Sequence, residues 1–257
     1  MKKNSGIYIV MGLLVIALCI MLGRQFIFQS AAKKTVIKES LPQAPEVTDI
    51  IRQDKAILSD PNPKNEALIV NSLKRLSFSS PEEIEVFITK NLKNPSVEIQ
   101  AAATEAAGAG NSLQLEKILK QGLENKNSSI RIAVLKGLMR SQNRDNEQII
   151  KKYMSLQNFK ANDKSKAIEL LWAKLVLTTS TYEPKKRELA VNDLVVYHNS
   201  IDPDTKNNPE VIEATHKIFN VFQGSQKVIE LARTVSKSKT PELREHASKF
   251  LKAYDHN

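Results

Sequence analysis

Between Ile99 and Met139 a short order of small and apolar residues is written twice, and nothing else in the chain constrains its fold as strongly. The first copy is Ile99, Gln100, Ala102, Ala103, Ala106, Ala107 and Gly108; the second, 31 residues on, is Ile130, Arg131, Ala133, Val134, Gly137, Leu138 and Met139. Positions spaced i, i+3, i+4, i+7 and i+8 share one face of an α-helix, so each copy predicts an amphipathic helix. A face built of Ala and Gly lets a neighbouring backbone come close. One helical pair cannot bury such a face alone, so the period predicts pairs that stack, with a core running through the array. An Ala-rich helix in an ordinary bundle is the alternative.

Both copies follow the order V-R-x-A-A-x-x-A-L, with Gln100 where the first Arg would stand. The order returns at Val211, Ala214, Thr215, Ile218 and Phe219, and 32 residues later at Leu243, Arg244, Ala247, Phe250 and Leu251. On these residues the chain resembles the HEAT-repeat family over residues 62–255. That resemblance implies an all-α fold, an α-α superhelix in which helical hairpins stack into a HEAT-like solenoid.

The intervening residues fit paired helices. One helix is predicted from Val47 through Leu58 and another from Ala67 to Leu76. Ser80-Pro81-Glu82-Glu83 then reads as an N-cap with a first-turn proline, opening a helix with Ile84, Phe87, Ile88 and Leu92. Asn94-Pro95-Ser96 opens the Ile99 helix, and Gly108-Ala109-Gly110 closes it, glycine being expected there in left-handed geometry. Further helices carry Leu115 to Leu123, Ile149 to Met154, Ala167 to Leu175, Leu189 to Tyr197 and Val228 to Val235. Irregular stacking is expected around Asp202-Pro203-Asp204 and Asn207-Asn208-Pro209, and the last helix should act as a cap.

The front of the chain has a different character. Ser5 to Gly23 is a run of nineteen residues without a formal charge, preceded by Lys2 and Lys3. At 1.5 Å per residue it spans a bilayer core of about 30 Å. A signal peptide would be shorter and end in a small-x-small site. Here Arg24, Gln25, Phe26, Ile27 and Phe28 follow, and Leu18 before Cys19 does not suit a lipoprotein site, so a retained anchor is favoured. The chain divides into a basic tail (1–5), a transmembrane anchor (6–29), a Pro- and Lys-containing linker (30–46) and a helical repeat domain (47–257). Six cations against Glu39 give residues 1–40 a charge of +5, half the total of +10. The basicity therefore argues little for nucleic acid, and the linker lysines suit a solvated tether or anionic headgroups. Cys19 is the only cysteine, which excludes an intramolecular disulfide and a Cys-based zinc site.

The residues give no expectation of a catalytic, cofactor or metal site. His198, His216, His246 and His256 form no H-x-x-x-H or H-E-x-x-H pattern. His216 and His246 sit near the core face of two signature helices and read as half-buried structural residues. Gly108-Ala109-Gly110 lacks the preceding strand and the following Lys-Ser/Thr of a phosphate loop. Asp202 and Asp204 lack the twelve-residue calcium pattern and read as turn formers.

In HEAT-like arrays the second helix of each pair lines the concave face, where partners bind. The resemblance thus implies protein-partner contacts at Lys117, Gln121, Gln148, Lys151, Lys152 and Arg233, an ordinary solvated helix face being the alternative. Aromatics are too scarce, at 5%, for the wedges of a nucleic-acid cleft, and no small-molecule substrate is evident. The expected function is a membrane-anchored scaffold or adaptor at the bacterial envelope, single-pass in the inner membrane. The alternative is an enzyme or nucleic-acid-modifying protein with a cytoplasmic domain. Charges flanking the apolar run leave its orientation balanced, and the short basic tail before the first apolar helix favours export. A reporter active only in the cytoplasm, fused after Asn257, is expected to be silent; an active fusion reverses the orientation.

Overall fold

The apolar spacing read from the sequence reappears as helices, each burying one face. The computed structural model describes residues 47–60, 65–79, 83–110, 112–141, 143, 145–157 and 163–255. Residues 46–257 form one compact unit. The segments expected as anchor and linker, with Cys19, lie outside the described residues. Among those that are described, no helix is long and apolar enough to cross a membrane.

The described residues are all-α. Their thirteen helices are α1 (Val47–Ser59), α2 (Glu66–Ser79), α3 (Glu85–Asn91), α4 (Val97–Ala106), α5 (Leu113–Gly122), α6 (Ser128–Ser141) and α7 (Asn146–Leu156), followed by α8 (Lys164–Ser180), α9 (Pro184–Ser200), the single turn α10 (Pro203–Lys206), α11 (Pro209–Val221), α12 (Gln226–Val235) and α13 (Pro241–Asp255). Helices α2, α4, α6, α8, α11 and α13 form a row in which each packs against the next. The partners α3, α5 and α7 each lean on the following member of that row, and α9 packs on α12. All four signature stretches fall in the row, and the atypical α8 lies between α6 and α11.

The row shares one register. Taking Ile69, Ile99, Ile130, Ile168, Val211 and Leu243 as origins, the positions 0, 3, 4, 7 and 8 are all buried in the first five helices. In α8 this places Trp172 and Leu171 in the core, although the sequence there shows no small-residue signature. In α13 only Leu243 and Ala247 are fully buried, as a terminal helix with one covered side should be.

Small residues matter most between α4 and α6. A short 3₁₀ turn, Ala107–Ala109, extends α4, and Gly108 in it lies directly on Gly137 of α6. A Cβ on Gly108 would overlap the carbonyl oxygen, carbonyl carbon and Cα of Gly137. The glycine is therefore required by close approach. The left-handed helix end expected here is not what forms: Gly110 has φ −84° and ψ 153°, an extended conformation open to any residue.

A second device recurs at the helix starts. Gln100 donates to the carbonyl of Asn94 at 2.5 Å, Arg131 to that of Asn125 at 2.7 Å and Arg244 to that of Ser238 at 3.2 Å, in each case six residues upstream. The same turn residues accept with their side chains from the N–H two positions on, Asn94 from Ser96, Asn125 from Asn127 and Ser238 from Thr240. The polar residue of the signature thus ties each turn to its helix, and Gln100 substitutes for arginine because one donor suffices. Side-chain caps form at Ser96, Asp163, Asp202 and Asn208, each accepting from an N–H of the first turn, so Asp202, expected as a turn former, also caps a helix. Helix α3 departs from expectation: it starts at Glu85 after Ile84, with no side-chain cap. The expected cap at Ser80 lies outside the described residues.

Gly108→Ala is expected to lower stability by more than the about 1–3 kcal/mol typical of core overpacking, because the obstacle is backbone. Gly224→Ala, with nothing within 4 Å of the added methyl, serves as the control. Thermal melting of both variants checks this; equal midpoints would contradict the close contact.

Candidate docking surface

Titratable side chains gathered in the interior are the first place to look for chemistry. Glu169, fully buried on α8, occupies the signature position where α6 carries Arg131. Its carboxylate accepts from Arg131 Nε at 2.9 Å and Nη2 at 2.6 Å, from Ser128 Oγ at 3.3 Å and from the Tyr153 hydroxyl. Burial opposes ionisation of Glu169, but the bonds from Arg131 and Tyr153 outweigh it and hold the carboxyl below its usual range. Burial and the Glu169 carboxylate raise the Tyr153 phenol. With its lone pairs occupied, this carboxylate has none left to act as a base. The cluster is a tie joining α6, α7 and α8, and losing one partner would cost about 3–5 kcal/mol.

The row of α2, α4, α6, α8, α11 and α13 presents charged side chains six residues after each origin: Arg75, Glu105, Lys136, Lys174, Lys217 and Lys249. Lys136 is nearly buried and reaches past α8 to Glu210 at 2.6 Å and Glu213 at 2.7 Å on α11, with its ammonium 5.0 Å from the Trp172 ring centroid. Burial disfavours its charge, and Glu210, Glu213 and Glu105 more than offset that, leaving its pKa raised. These bonds draw α11 towards α6.

Near that crossing lies a cleft of about 580 Å³. Its walls come from the C-terminal ends of α2, α6, α8 and α11, with Ala109 behind α4 and the first turns of α9. Phe78, Tyr182 and Val221 are 71%, 59% and 41% exposed there. Three cations line it, Arg140, Arg187 and Lys217, and no carboxylate does among the described residues. Arg140 donates to Ser77 Oγ at 3.0 Å, pairs with Glu105 at 3.4 Å and lies 4.2 Å over the Phe78 ring centroid. Arg187 lies over Phe222 at 5.5 Å.

The six positions implied by the resemblance are all exposed, on α5, α7 and α12. Two of them, Gln121 and Lys152, meet in a groove of about 350 Å³ between α5 and α7, walled also by Leu123, Ile149 and Leu156. Lys117, Gln148, Lys151 and Arg233 do not line it, and Lys151 pairs with Glu147 at 2.6 Å. The larger cleft was not anticipated. Arg140 and Val221 share the tenth position after their origins, so aligning the repeat ends would have pointed to it.

Three described histidines lie on α9, α11 and α13. The rings of His216 and His246 stack at 3.8 Å between α11 and α13, flanked by Phe219 and Phe250. Burial lowers both pKa values; the His246 charge adds to this for His216 and that of Lys249 for His246. His198 Nε2 lies 2.9 Å from Thr215 Oγ1, whose own proton goes to the Val211 carbonyl. The neutral ring therefore carries its proton on Nε2 and leaves Nδ1 unpartnered. Burial, with the Lys206 charge, pushes this imidazole down to about 4.

All three histidines prefer the neutral form when folded, whereas in the unfolded chain they take up protons near pH 6.5. Their contribution is thus complete above that pH and is lost as pH falls towards 4, by up to about 3 kcal/mol for His198. The melting midpoint should be lower at pH 5 than at pH 7.5, and His198→Gln, which keeps a donor near Thr215, should reduce that difference. An unchanged difference would contradict the assignment.

No family model, curated protein or solved structure matches this chain.

Proposed function

We propose that this chain is a docking protein: a HEAT-like α-solenoid of stacked helical pairs, held at a membrane by residues 6–29, that presents its helical layers to a protein partner. The observation that carries this reading is the cleft walled by four helices of the row. It exists only because successive pairs stack, and it exposes Phe78, Tyr182 and Val221 beside three cations. Apolar anchors with a charged margin are what protein recognition uses. The shared register of the row and its regular neighbour packing support the solenoid. A tether would act by raising the local concentration of the partner at the bilayer.

The groove holding Gln121 and Lys152 offers a second, smaller surface on the other helices. Purification of the tagged full chain from detergent-solubilised membranes is expected to recover a stoichiometric protein. Arg187→Glu with Lys217→Glu should release it, whereas its loss from Lys117→Glu with Lys151→Glu and Lys152→Glu would assign it to the second-helix side. Recovery of no selective partner would leave only a spacer and overturn the reading.

A further inference from the structure

We infer that the cleft at the ends of α2, α6, α8 and α11 binds an acidic protein segment, one whose carboxylates flank a large apolar side chain. This rests on the docking reading and names the partner chemistry for that same site.

The charge pattern comes first. Of the cations six residues after each origin, four are already engaged within the chain: Arg75 with Asp54, Lys136 with Glu210 and Glu213, Lys174 with Asp193 and Lys249 with Glu245. Arg187 and Lys217 have no carboxylate partner among the described residues, and Arg140 shares Glu105 at only 3.4 Å. At that register position Lys217 is the cation left without a carboxylate among the described residues, and it shares the cleft with Arg187. The helix ends around it carry about −0.5 charge each, an effect that fades within the last turn. Side-chain tips with a full charge extend beyond that range, and so favour carboxylates.

The apolar pattern then selects among anions. Phe78 and Val221 lie in the same cleft as the three cations, and burying them requires an apolar group on the partner. A nucleic-acid backbone tracks a continuous cationic strip, and here pairing interrupts the strip on both sides. A cleft of about 580 Å³ is of a size for a few side chains. A short peptide segment satisfies both demands.

The test uses the full chain in detergent and a fluorescein-labelled octapeptide alternating Asp or Glu with Leu or Phe, read by fluorescence anisotropy. Binding is expected, weakening with salt. Arg187→Glu with Lys217→Glu should weaken it about tenfold, at an unchanged melting midpoint. Should that pair fail to fold, Arg187→Gln with Lys217→Gln should weaken binding in the same direction. Replacing the acids by Lys should abolish binding, and replacing Leu and Phe by Ser should weaken it. Equal binding to wild type and variants, or to the Lys peptide, overturns the proposal. So does stronger binding of inorganic polyphosphate or a DNA oligonucleotide, which would mark a plain polyanion site. If a membrane partner still co-purifies while the acidic peptide fails to bind, the acidic-segment proposal falls and the docking reading stands.

Discussion

Gly108 rests against the backbone of Gly137, and the row of helices depends on approaches of this kind. A helix with Ala at positions 3, 4, 7 and 8, as in α4, has little side chain with which to fill space. It gains burial only if the next helix comes close along its length. Packing in protein interiors is dense, so a methyl at the contact has no room unless one backbone moves. That constraint explains why the signature stretches adjoin one another in the structure and why the larger side chains of α8, Trp172 above all, come between α6 and α11. Trp172 is fully buried, with the Lys136 ammonium 5.0 Å from its ring centroid, and α8 packs on both α6 and α11, with Leu171, Leu175 and Val176 buried.

Polar ties then fix the register that the apolar faces alone would leave loose. One residue after the origin, Gln100, Arg131 and Arg244 each reach back six residues to a turn carbonyl. At the same position in α8 stands Glu169, an acceptor, and it accepts hydrogen bonds from Arg131 and Tyr153. The repeat thus turns one arginine into the donor for the next pair. A buried carboxylate so fully bonded contributes specificity of packing.

Charge on the exposed face of the row follows from the same register. Lys136 between Glu210 and Glu213 draws the distant α11 across, and the cleft opens beside that crossing. Its unpaired cations and exposed apolar side chains come from helices far apart in the chain, from Phe78 to Val221. The cleft is thus a product of stacking, and so is the chemistry proposed for it.

Helix positions, buried faces and the repeat period were legible in the sequence, because the spacing of apolar residues along one helix is a local property. The four signature stretches were placed from it directly. The roles of individual residues were not. Gly108 read as a helix end because spacing cannot show that Gly137 lies on it. The buried role of Glu169 has no local signal, because its donors come from α6 and α7. The resemblance directed attention to Lys117, Lys151 and Lys152, whereas the cleft gathers Arg140, Arg187 and Lys217 from three other helices. Sequence determined which residues form each helix and which face is apolar. Tertiary structure alone decided which charges are paired and which remain open, since pairing depends on which helices come together, and that is set by contacts between helices remote in the chain.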